Sequence, residues 1–213
     1  MILPDALIIA AQCFSPVNAQ DWDALCESST WSAFASALAA AAGADSANNA
    51  GAPAGNGPRA ALAESLDAIA RPLPFAEKEA FARRHFTGGL PDSAMPVESL
   101  YLPLGPAAKE PSYNRESAQY MRDLLASLQV DMPAQFAAYP DHLALELETA
   151  ALLGNAGLEE AMADFLITRF AWLPAYRARL EAISTENRFY VGLADVLAHV
   201  AAAFRAQYGR ENN

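Results

Sequence analysis

Four residues near the middle of the chain have the types and spacing for chemistry. Asp141, His142 and Glu146 lie in the run YPDHLALELE from Tyr139 to Glu148, and Thr149 follows it. His142, Glu146 and Thr149 recur at i, i+4 and i+7, so on a helix they share one stripe. Leu143 and Leu147 lie on a second stripe, and Leu145 with Leu152 on a third. A helix apolar on two sides is largely buried, and a polar stripe between those sides needs partners. Asp141 follows Pro140 and precedes the apolar run. Its plainest role is N-cap, accepting from first-turn amides and contributing about 1 kcal/mol.

Three chemistries compete for the stripe. The first is half of a metal site. No other His or Cys stands at helical ligand spacing, and His85 and His199 are isolated, so no metal is expected. The second is the acid–base pair of a small hydrolase using His142 and Glu146. Neither a Gly-x-Ser-x-Gly turn nor a placed cysteine accompanies them, and an enzyme is not expected. The third is the polar floor of a groove for a partner segment. There His142 pairs with Glu146 or Asp141, and carboxylates attract a basic ligand. Residue types alone leave this reading level with a satisfied structural cluster. A structural or assembly subunit with a permanent protein partner is a further alternative.

The elements that must position these residues read as helices. Hydrophobic residues make up 53% of the 213, enough for a core, and alanine supplies much of that share. Valine and isoleucine are scarce, which starves strands. Apolar periodicity places helices over 6–14, 21–42 (one or two), 59–70, 75–86, 112–128, 141–153, 158–172, 175–183 and 185–208. Pro72 and Pro174 interrupt the pattern, and Asn155-Ala156-Gly157 closes the helix that carries the stripe. The expected fold is all-α, one domain over 1–213, a helical bundle of roughly nine or ten segments. Two stretches break it. GADSANNAGAPAGNGP, 43–58, is too small and polar to offset its ordering entropy and reads as a flexible low-complexity loop. The long proline-bearing connection 87–110 holds Val97, Leu100, Tyr101, Leu102 and Leu104, so it reads as a functional loop packed on the core.

Charge and cysteines narrow the partners. A formal charge of -11 repels phosphate backbones, so nucleic acid is not expected, and it favours basic ligands such as arginine-rich peptides. Cys13 and Cys26 form no Cys-x-x-Cys pair and read as reduced thiols. MILPDALIIAAQCF lacks a basic start, is broken by Pro4 and Asp5 and is too short to span a bilayer. It reads as the first core helix of a cytoplasmic protein without stable membrane insertion.

YPDHLALELE resembles the signature of the TorD/DmsD-like redox-enzyme maturation chaperones. Other stretches agree in order: 6–23 with its Phe-Ser-Pro turn, FARRHFTGG at 81–89, PVESLY at 96–101, Glu110-Pro111 before the Tyr120-Met121 helix, and WLPAYRARLE from Trp172. Val97 stands where the family usually carries an aromatic or a proline. The resemblance implies an all-α cytoplasmic chaperone that binds the twin-arginine signal peptide, the apo form, or both, of a molybdenum or tungsten oxidoreductase. It implies help with cofactor insertion and delay of export, with no cofactor of the chaperone's own. By motif match it places Asp141 and His142 in the signal-peptide site, with Glu98, Ser99 and Tyr101 beside them and Gly105 and Tyr113 as further members. Glu146 joins them from the polar stripe. Both monomers and dimers are compatible with the sequence.

Overall fold

A computed structural model describes residues 1–44, 57–102, 113, 115–183 and 188–208. Among the described residues the fold is all-α, without a named strand. The helices are α1 (Leu3–Phe14), α2 (Ala19–Leu25), α3 (Ser28–Ala41), α4 (Pro58–Ala68), α5 (Phe75–His85), α6 (Glu116–Ser127), α7 (Leu143–Asn155), α8 (Glu159–Arg169), α9 (Leu173–Ile183) and α10 (Phe189–Tyr208). Short 3-10 turns cover Glu98–Leu100, Ala134–Phe136 and Phe170–Trp172. Most of the stretch at 43–58 and residues 103–110 of the connection at 87–110, Gly105 included, lie outside the described residues.

α1 and α7 form the inner pair. They run antiparallel: Pro4 meets Gly154, while Gln12 Nε2 reaches Glu148 Oε1 at 3.5 Å. α1 begins with proline in its first turn, where the missing N–H is no loss. Its last carbonyls find side-chain donors. Tyr190 Oη donates to Cys13 O at 3.1 Å, and the buried Lys78 Nζ donates to Ser15 O at 2.7 Å. Lys78 also sits over the Trp22 ring, 5.1 Å from its centroid. Trp22 and Trp31 send their indole N–H groups to Leu73 O and Ile69 O, which pins the turn between α4 and α5.

α10 is apolar and long enough to cross a bilayer by composition alone, but most residues from Phe189 to Ala201 are buried, packed against α4, α8 and α9. α7 closes at Gly157, whose φ of +74° suits glycine, with Leu158 N donating to Leu153 O. The 158–172 and 175–183 helices divide differently from the sequence expectation. The break is the 3-10 turn at 170–172, and Pro174 sits in the first turn of α9.

Candidate functional site

The site begins where the segment before α7 meets the connection after α5. Val97 and His142 form an antiparallel bridge: Leu143 N donates to Pro96 O at 2.8 Å, and Glu98 N donates to Asp141 O at 2.9 Å. Val97 is fully buried beneath it. Two motifs about forty-five positions apart are thereby held as one unit.

Asp141 is not the N-cap of α7. His142 takes that place, its Nδ1 accepting from Ala144 N at 3.2 Å. The Asp141 carboxylate turns the other way, where Oδ2 accepts from Ser99 N at 2.8 Å and from Ser117 Oγ at 2.7 Å. Asp141 therefore ties α6 and the 96–101 segment to the start of α7. The expected pairing of His142 with Glu146 or Asp141 is replaced by this cap and by ring contact with Phe136 at 4.9 Å. Burial lowers the His142 pKa to about 4, so its ring is neutral at physiological pH.

Behind the bridge lies a buried polar cluster. Glu98, Asp141 and Glu146 are 1%, 0% and 0% exposed. Glu98 pairs with Arg169 at 3.2 Å, and Arg169 lies over the Tyr120 ring. Glu146 Oε2 accepts from Trp172 Nε1 at 3.2 Å. Tyr101 stacks on Trp172 at 5.4 Å and meets Tyr176 edge-on. Thr149, the third member of the stripe, bonds back to Leu145 O within its own helix. The structure thus brings Glu98, Ser99, Asp141, His142 and Glu146 together, with Tyr101 on the far side of Trp172. Tyr113 is apart from the carboxylates. It packs on Tyr139, donates to Met95 Sδ at 3.3 Å and lies close over Gly88. Trp172 and Tyr176 are buried in the core.

The open part of the site is a groove of about 350 Å³ beside His142. Phe14, Ser15 and Pro16 at the end of α1, Glu79, Ala82, Arg83 and Phe86 of α5 and its end, and Met95, Gln135, Phe136, Tyr139 and His142 line it. Sequence reading missed these walls except His142, because isolated aromatics look like core. It also missed Arg169 and Ser117, whose only signal is a polar residue on a buried helix face. Among the described residues no group of His, Cys, Asp and Glu is arranged to hold a metal ion.

The sequence matches the family model described as nitrate reductase delta subunit over residues 53–184. It is 31% identical over 114 residues to the chaperone protein TorD of Shewanella piezotolerans, covering 52% of this chain and 53% of that protein. It is 34% identical over 120 residues to the chaperone protein TorD of Shewanella amazonensis, covering 48% and 50%. The same protein of Shewanella pealeana is 35% identical over 112 residues, covering 51% and 50%. The chain spans about half the length of the curated relatives it matches. The family match runs from before α4 to the end of α9 and takes in both motifs of the bridge, so this chain belongs to the nitrate reductase delta subunit family, the TorD-like maturation chaperones.

Proposed function

We propose that the protein is a cytoplasmic chaperone for a molybdenum- or tungsten-containing oxidoreductase. It binds the twin-arginine signal peptide, the apo form of the enzyme, or both, assists cofactor insertion and delays export. The observation that carries this reading is the groove beside His142, aromatic on several sides and built on the bridge between the two family motifs. Apolar residues of the peptide bury against Phe14, Phe86, Phe136 and Tyr139, at roughly 25 cal/mol per Å² removed from water. The net charge of -11 draws the peptide's arginines, and Glu79 stands at the groove for them.

The buried carboxylates serve the site from inside. Asp141, Glu98 and Glu146 hold Ser99, Tyr101 and His142 in place and do not form the contact surface. Tyr113 supports the groove through Met95 and Tyr139. A hydrolytic use of His142 and Glu146 is disfavoured because each is engaged elsewhere, with Ala144 N and Trp172 Nε1. Calorimetry with twin-arginine peptides from several molybdoenzymes tests the proposal. Moderate, reversible binding is expected, weakened about tenfold or more by Phe136→Ala. No heat with any peptide, together with unchanged enzyme maturation in His142→Ala cells, would sink it.

A further inference from the structure

Two of the buried carboxyl groups lie together: Glu98 pairs with Arg169 and Glu146 with Trp172, one helical turn further on, and each carboxyl acts on the other's charge. Glu98 comes from the 96–101 segment and Glu146 from the second turn of α7. Glu98 Oε2 and Glu146 Oε1 are both buried; Glu98 Oε2 faces the Arg169 guanidinium at 3.2 Å, and Glu146 Oε1 has no hydrogen bond among the described residues. Two ionised carboxylates at this separation repel, and neither can donate. A single proton between the two carboxyls removes the repulsion and gives Glu146 Oε1 a partner.

We propose that Glu146 keeps its proton in the folded protein and donates it to Glu98, and that this bond fixes the 96–101 segment against α7. Glu146 is then a positioning residue for Ser99 and Tyr101. The surroundings assign the proton to Glu146. Glu98 has Arg169 at 3.2 Å to stabilise its charge. Among the described residues Glu146 has no such cation in direct contact; its other oxygen faces the Trp172 indole N–H. Groups from each packed element agree. Asp141, ahead of α7, and Glu98 both oppose a charge on Glu146, while Arg169 of α8 favours one more weakly. Tyr101 and Tyr176 of α9 are phenols raised by burial and stay neutral, as does the His142 ring. Burial is the largest cause raising Glu146, followed by the charge of Glu98.

The three attachments of the segment are distinct. Backbone bonds fix its register, Asp141 holds Ser99, and the proton holds Glu98. Only the last requires a carboxylic acid or an amide at position 146. Glu146→Gln supplies an N–H donor without a charge, whereas Glu146→Ala removes the donor and leaves Glu98 without it.

Two measurements on the free protein decide the matter, so their failure is separable from any failure of peptide binding. Infrared difference spectra at pH 8 are expected to show a protonated-carboxyl C=O stretch that Glu146→Gln removes. Hydrogen exchange of the amides from 97 to 101 is expected to accelerate roughly tenfold or more in Glu146→Ala and to return near wild type in Glu146→Gln. The absence of the carboxyl band from the wild-type protein overturns the proposal. So does a Gln variant as fast-exchanging as the Ala variant, because that result means an ionised Glu146. The infrared reading needs no variant to assess whether any protonated carboxyl exists, so it stands even where Glu146→Ala fails to fold.

Discussion

At the scale of the residue, Asp141 is the anchor of the site. Two donors from different parts of the chain converge on one of its oxygens. Asp141→Ala strands both in a buried place and is expected to cost about 3 kcal/mol, read as a lower urea midpoint. Asp141→Asn keeps an acceptor oxygen and should lose less than half as much. Equal losses from the two substitutions would mean that charge, not the bonding geometry, is what the fold uses. The importance of this residue was legible in Pro-Asp-His before an apolar run, but its partners were not. Local spacing shows only local caps, and it awarded the cap to Asp141. The cap moved to His142 because Ser99 and Ser117, forty-two and twenty-four positions away, claim the carboxylate. Likewise Glu146 stood out as polar in an apolar helix, while its partners Trp172 and Glu98 came from elements no periodicity connects to it.

At the scale of the element, the helices were legible because their apolar stripes recur at the period of a helix. Their crossings were not. α4 and α10 approach so closely that a Cβ on Gly192 would lie 2.8 Å from Ser65 O and 2.8 Å from Ala68 Cβ. Alanine is the better helix former by about 1 kcal/mol, which alone predicts a gain for Gly192→Ala. The obstacle is a backbone carbonyl that no rotamer change can move, and overpacking of that kind costs about 1–3 kcal/mol. The clash is expected to win, with a net loss of up to about 2 kcal/mol in chemical unfolding at unchanged slope. A stabilised Gly192→Ala would show that the two helices are free to part. The break near Pro174 carries the same lesson. Proline was read as an interruption, but in the first turn of α9 it starts a helix, and the chain instead turns at 170–172.

At the scale of the whole molecule, the groove could not be read from sequence, since its walls come from the end of α1, from α5 and from residues 135–142. The same assembly buries both His142 and Glu98, and their titrations give the fold a pH dependence of opposite signs. His142 has its pKa lowered from 6.5 to about 4, so the unfolded chain takes up a proton first. Its contribution is full above 6.5 and is lost as pH falls towards 4. Glu98 is raised from 4.5 to about 7, burial outweighing Arg169, so the folded protein holds the proton longer. Its contribution is full below 4.5 and is lost as pH rises towards 7, and Glu146, raised further, extends that loss to higher pH. Between 4.5 and 6.5 the His142 slope offsets only one of the two glutamates, so urea-unfolding free energy is expected to decline with rising pH there and more steeply just above 6.5, where His142 no longer offsets either. Removing one partner exposes the other. His142→Asn should steepen the decline between 4.5 and 6.5, and Glu98→Gln should flatten it. A profile that neither substitution tilts would mean that both groups titrate alike in the folded and unfolded chains, and that the buried cluster is open to water.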